Sequence, residues 1–181
     1  MSWLTTLLTV GANWLKSTPL AELSLWIAGT PFGTAINQNS WITPTIQSFH
    51  ILGVAATFSA ALMIVLRIFG VAGKEHAMAE IERRYAPWIW GGLGLLLVSG
   101  ILVVIAEPAR ELLNLGFWVK MSLIVAVAAA TRWFQLSSRH NSALWQPTSS
   151  GYVAIQTGAA VVTGVWCLII ILGRWIAYIG A

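Results

Sequence analysis

Aspartate is missing from this chain of 181 residues, and its acidic residues number only six, all glutamate. A Ser/His/Asp triad therefore cannot form, and nothing marks a nucleophile for glutamate to activate. Charged residues make up 9% of the chain, where a soluble domain carries about a quarter. That deficit excludes an ordinary soluble enzyme. The one cysteine, Cys167, rules out a disulfide framework within the chain and reads as a small core residue. CxxC, HExxH, a methionine-rich tract and a phosphate-binding glycine loop are all absent. Met63 and Met121 read as core. The net charge of +4 is spread out, without a basic run. It suits loops near anionic lipid, not a nucleic-acid groove.

What the chain has in quantity is apolar surface. Hydrophobic residues make up 57%, mean hydropathy is +0.77, and there are 11 tryptophans. Tryptophan favours the membrane–water boundary. A membrane helix needs about 20 apolar residues. Stretches that meet this run over residues 43–69, 87–106, 115–134 and 152–178, with Lys120 inside the third and Arg174 near the end of the fourth. Gly91, Gly92, Gly94 and Gly100 read as helix-packing glycines. The expected fold is all-α: a polytopic membrane protein with a four-helix transmembrane bundle over residues 41–181.

Residues 1–40 are apolar but broken, and are expected to form short interfacial helices. Thr18-Pro19, Thr30-Pro31 and Thr43-Pro44 each have helix-start chemistry, with a capping hydroxyl followed by a residue that fits the first turn. They predict helices over 2–15, 19–28 and 31–38, with the third pair opening the first span. Trp3, Trp14 and Trp26 suit helices lying in the interface. A single span from Trp3 to Ile27 is opposed by Lys16, Pro19 and Glu22. The start of the chain lacks a basic region and a small-residue cleavage site, so it is expected to be retained.

Orientation follows from the basic residues near span ends. Arg67, Lys74, Arg83, Arg84, Arg132 and Arg139 fall on one side; Lys16, Arg110, Lys120 and Arg174 fall on the other. The positive-inside rule puts the first group in the cytoplasm and both termini outside. The loop over 74–85 is expected to form a short amphipathic helix in which Glu80 pairs with Arg84.

His50 is the strongest candidate for chemistry. It lies roughly 10 Å into the first span at 1.5 Å per residue, and ionisable residues at such depth mark functional sites. Gln47 sits one turn outward on its face; Gly53, Thr57, Ala60 and Ala61 continue that face inward. Small residues beside a histidine permit close approach of another helix or of a flat ligated ring, and spacing alone does not separate the two. Glu107 ends the second span on the same side as Lys120 and Arg174. A Glu107–Lys120 ion pair is expected. The cations either snorkel to the surface or bind a quinone oxygen or haem propionate. His76 and His140 fall in loops on the opposite side. A haem held by two histidines of this one chain therefore does not fit; one held by His50 alone, or by His50 and another subunit, does.

The stretch WIAGTPFGTAINQNSWITPTIQSFHILGVAATFSAALMIVLRIFG carries Thr30-Pro31, Trp41 with Pro44, His50-Ile51-Leu52-Gly53 and Arg67. The later AEPARELLNLGFWVKMSLI carries Glu107, Asn114, Phe117 and Lys120. Together these resemble an uncharacterised family of bacterial four-helix inner-membrane proteins over roughly residues 26–123. A looser likeness exists to copper resistance protein D and to four-helix cytochrome b subunits, which would imply copper handling or haem–quinone chemistry. The leading expectation is a membrane subunit of a redox or energy-transducing complex, not an enzyme by itself. It would hold haem b, another tetrapyrrole or a quinone in an outer-leaflet pocket of His50, Gln47, Gly53, Glu107, Lys120 and Arg174, with His50 as the metal ligand. Its partners would be the bilayer and other membrane subunits or further copies of itself. The alternatives are a small transporter or metal-handling protein, and a purely structural subunit.

Overall fold

The structure, a computed structural model, describes residues 10–140, 145 and 149–179. The described residues are helical, with short connections and no strand. Residues 10–16 (α1) precede Leu20–Gly29 (α2) and Pro31–Gln38 (α3). Then come Ile42–Ile68 (α4), Met78–Ala106 (α5), Pro108–Leu112 (α6), Leu115–His140 (α7) and Tyr152–Ile179 (α8). Four helices, α4, α5, α7 and α8, are long and apolar enough to cross a membrane. Only 11–22% of each of their most apolar windows is buried inside the protein. Ile51, Leu97, Val125 and Val161 are all more than half exposed. Water does not tolerate so much contiguous apolar surface, and lipid does. The chain is a multi-pass, all-α membrane protein in contact with the bilayer.

The three Thr-Pro pairs do different jobs. Thr30 caps α3 as its sequence suggests: Gly33 N–H donates to Thr30 Oγ1 at 3.1 Å. Thr18 instead closes the helix before it, donating its hydroxyl to Leu15 O at 2.5 Å, and it makes no cap for α2. Thr43 lies inside the first turn of α4. That start is supported by Asn39, which accepts Trp41 N–H at 3.3 Å and Ile42 N–H at 3.1 Å. The expected helix over 2–15 falls partly outside the described residues.

The second span differs from its expected start at residue 87. Helix α5 begins at Met78 and runs straight through Pro87. The lost N–H is tolerated because Pro87 sits on an exposed face, and membrane helices accommodate proline where freed carbonyls find other partners. Residues 78–85 are thus the first turns of the span, not a separate helix. Glu80 faces His76, with Oε2 3.2 Å from Nδ1, rather than Arg84.

Contacts group the described residues into two compact units. Those within Met1–Leu52, Leu95–Ser122 and Ile171–Ala181 form the first, and those within Gly53–Gly94 and Leu123–Ile170 the second. In the first, α2 packs on α6, and Leu112 and Phe117 form a core with Ile27, Val104 and Met121. Gly11 faces Leu115, where a Cβ would come within 2.9 Å of Cδ2. Asn114 starts α7 by accepting Gly116 N–H on Oδ1 at 2.8 Å.

In the second unit, Val127, Trp166 and Ile169 form the core, joined by Phe58, Leu93 and Val162. Helix α4 ends in a Schellman turn: Val71 N–H donates to Leu66 O at 2.8 Å while Gly70 takes φ +65. Arg67 clamps the following loop through two bonds to His76 O, at 3.0 and 2.9 Å. Tyr152 donates its hydroxyl to Ile68 O and ties α8 to that same end of α4.

Thr57 is fully buried, and its Oγ1 donates to Gly53 O at 2.8 Å. A Cβ at Gly92 would collide with Oγ1, whereas nothing lies within 4 Å of one at Gly91. Gly92→Ala is expected to cost about 1–3 kcal/mol through overpacking. Gly91→Ala should be neutral or stabilising by up to roughly 1 kcal/mol, as expected for glycine replaced in a helix. Thermal unfolding of the two variants in detergent checks the contrast.

Candidate functional site

His50 stands eight residues into α4, and Ser99 seven residues before the end of α5. Because the two helices run in opposite directions, those positions meet within the first unit, and His50 Nδ1 lies 2.8 Å from Ser99 Oγ. Ser99 is itself buried, at 3% exposure, with Oγ 2.6 Å from Leu95 O. That short oxygen–oxygen approach requires a hydrogen between the two atoms. The serine has one hydrogen, so it donates to Leu95 O. The remaining contact is then His50 Nδ1–H donating to Ser99 Oγ. The imidazole is held as one tautomer, with Nε2 as its unprotonated nitrogen.

Space beside the ring comes from Gly100, where a Cβ would lie 3.7 Å from His50 Cε1. His50 and Gln47 are half-buried on the same side of α4. Among the described residues, neither His50 Nε2 nor the Gln47 amide has a hydrogen-bond partner.

A chain of alternating charges lies in the same unit. The helix breaks at Glu107, where φ is −137 and ψ is 62, and α6 restarts at Pro108. Arg110 pairs with Glu107 and approaches Glu111 Oε1 at 3.6 Å. Lys120 Nζ lies 4.0 Å from Glu111 Oε2 and 5.3 Å from the centre of the Phe117 ring. The expected Glu107–Lys120 pair is therefore replaced by Glu107–Arg110 and Glu111–Lys120. The turn of α6 explains the exchange: it carries Glu111 into the interior, at 5% exposure, and leaves Glu107 at the rim. The Lys120 stem passes Gly173, with Cδ 3.9 Å from where a Cβ would stand.

Of the residues singled out from the sequence, His50, Gln47, Glu107, Lys120 and Arg174 all belong to this first unit. Arg174 is exposed. Gly53 belongs to the second unit, where its carbonyl accepts Thr57. Sequence reasoning missed Ser99. Its only signal was a hydroxyl at the same depth as His50 on an antiparallel neighbour. Glu111 was visible but passed over in favour of Glu107, since the spacing does not show which way a short helix turns. His76 and His140 are engaged locally, with Glu80 and with Leu136 O.

No protein-family model matches the chain, and no curated protein or solved structure is significantly similar to it.

The charge chain generates a stability prediction. Glu111→Ala leaves Lys120 without its carboxylate, in a site where the lysine side chain is only 16% exposed. Stripping one partner from a buried pair costs about 3–5 kcal/mol. Glu107 is 30% exposed, so Glu107→Ala should cost clearly less. Unfolding in detergent, with both variants side by side, reads the order.

Proposed function

We propose that the chain is a membrane subunit of a redox or other energy-transducing complex, in which His50 ligates the iron of a tetrapyrrole, such as haem b, through Nε2. The observation that carries this reading is the 2.8 Å contact of His50 Nδ1 with Ser99 Oγ, a serine whose own hydrogen is engaged by Leu95 O. An imidazole whose Nδ1–H is tied to a neighbouring oxygen is oriented and made more basic at Nε2, which is how metal-bound histidines are commonly supported. A tetrapyrrole brings its own ring nitrogens and asks the protein for one or two axial ligands. A bare copper or zinc ion asks for several protein ligands, and no group of three or more His, Cys or Glu stands together among the described residues. Copper handling and small-ion transport therefore rank below the tetrapyrrole.

A quinol is the second reading, because an unprotonated Nε2 accepts a hydroxyl and Gln47 offers an amide beside it. Of Lys120 and Arg174, the cations expected to grip a propionate or quinone oxygen, Lys120 is held instead by the Glu111 carboxylate. Recognition then rests on His50 and Gln47 rather than on charge. A further ligand to the iron would have to come from a partner subunit or another copy of the chain, as His76 and His140 are engaged elsewhere. The resemblance of residues 26–123 to bacterial four-helix inner-membrane proteins points to that membrane, and the distribution of basic residues favours both termini outside.

The native protein is expected to show a Soret band on purification, and His50→Ala should abolish it. Ser99→Ala should keep the fold but weaken ring retention roughly 10- to 100-fold, the range found when a group supporting a metal-bound histidine is removed. Fully assembled protein that is colourless and unaffected by His50→Ala rejects the tetrapyrrole. A quinol recovered from that colourless protein would support the second reading.

Orientation has its own check. With Cys167 replaced by alanine, a cysteine at Lys74 should react in intact cells only with membrane-permeant thiol reagents. Reaction with an impermeant reagent reverses the assignment.

A further inference from the structure

An open groove of about 300 Å³ lies on the surface of the second compact unit, where the end of α4 meets the start of α8. Its walls are Phe69, Val153, Gln156, Thr157 and Ala160. Ligand sites begin at about this volume and are mostly apolar. Phe69 and Val153 are 44% and 69% exposed, and Thr157 and Ala160 are exposed with them.

The walls are fixed from behind. Tyr152 donates its hydroxyl to Ile68 O, and Gln156 Nε2 donates to the same carbonyl at 3.5 Å. Those bonds hold the first turns of α8 against the last residue of α4. Thr157 Oγ1 donates to Val153 O at 2.9 Å, one turn back along its own helix. These polar side chains are engaged by backbone carbonyls, so the groove offers an occupant mainly apolar surface.

A cation stands beside it. After Phe69 the chain turns through Gly70, which takes φ +65. Lys74 folds back over that turn, with Cε 3.7 Å from where a Gly70 Cβ would stand. The lysine is exposed. The carboxylates nearest to it in the chain are turned to His76: Glu75 Oε1 lies 3.7 Å from Nε2, and Glu80 Oε2 lies 3.2 Å from Nδ1. Among the described residues Lys74 has no ion-pair partner.

We propose that this groove binds an anionic phospholipid, with an acyl chain along Phe69, Val153 and Ala160 and the phosphate beside Lys74. Both α4 and α8 are spanning helices, so the bilayer is what the open groove meets. Its occupant must be apolar along its length and anionic at one end. A free phosphate has no apolar part. A zwitterionic lipid carries its own cation next to the phosphate, which weakens the pull of Lys74. One lysine at a membrane surface favours an anionic lipid about fivefold. The assignment does not depend on the reading of His50.

The test offers the full chain, in detergent, equal amounts of phosphatidylglycerol and phosphatidylcholine, and native mass spectrometry reads which lipid it retains. The native protein is expected to retain phosphatidylglycerol with about a fivefold preference. Lys74→Gln should bring the ratio close to one. Ala160→Phe should fill the groove and lower retention of both lipids, with its melting temperature checked against the native value. Arg84→Gln is the control, because that guanidinium lies over Tyr85, 6.0 Å from the ring centre, and is not part of the groove. It should leave the preference as it was. Equal retention of both lipids by the native protein overturns the proposal, as does a preference that survives Lys74→Gln. Native-like retention by folded Ala160→Phe overturns it too. If Arg84→Gln lowers the preference as much as Lys74→Gln, the attraction belongs to the basic surface at large and the site is refuted. A native dimer that Ala160→Phe separates assigns the groove to a second copy of the chain instead.

Discussion

Hydrocarbon offers no hydrogen bonds, so each polar group carried into the spans must find its partner within the protein. The hydroxyls of this chain meet that demand in one recurring way. Thr57 donates to Gly53 O, Ser99 to Leu95 O, Ser122 to Trp118 O and Thr163 to Ala159 O, each one turn back along its own helix. The local bond uses the hydroxyl's hydrogen and leaves its oxygen as an acceptor. At Ser99 that spare acceptor meets His50. A rule that merely satisfies helix interiors becomes, at this one position, the device that fixes an imidazole.

Charge is handled with the same economy. A glutamate, an arginine, a second glutamate and a lysine alternate around the break between α5 and α7, so each ion is next to its opposite. Glu111 is the buried member, and the short α6 is what delivers it there. This arrangement offers little excess charge to an anionic ligand. Its ions are held by one another rather than presented for binding, which leaves the neutral groups of His50 and Gln47.

The two compact units carry distinct chemistry. The first pairs a tautomer-fixed histidine with a self-neutralised ion chain. The second is held by an apolar core of Val127, Trp166 and Ile169.

The sequence by itself determined the class of protein and the existence of the spans, because mean hydropathy over some twenty residues is a local sum. It also marked His50, since an ionisable side chain in such a stretch is conspicuous. Span ends were less legible: Pro87 looked like a start, yet α5 passes through it where the proline faces outward. Thr30 capped its helix as its position implied, while the same dipeptide at Thr18 closed the preceding helix. Ser99 could not be singled out, because a serine bonded back to its own helix looks like any other. Tertiary structure alone decided that Ser99 meets Nδ1 and that Lys120 takes Glu111 over Glu107. Those choices depend on how each helix is rotated about its axis against its neighbours, and rotation is set by packing between segments distant in the chain.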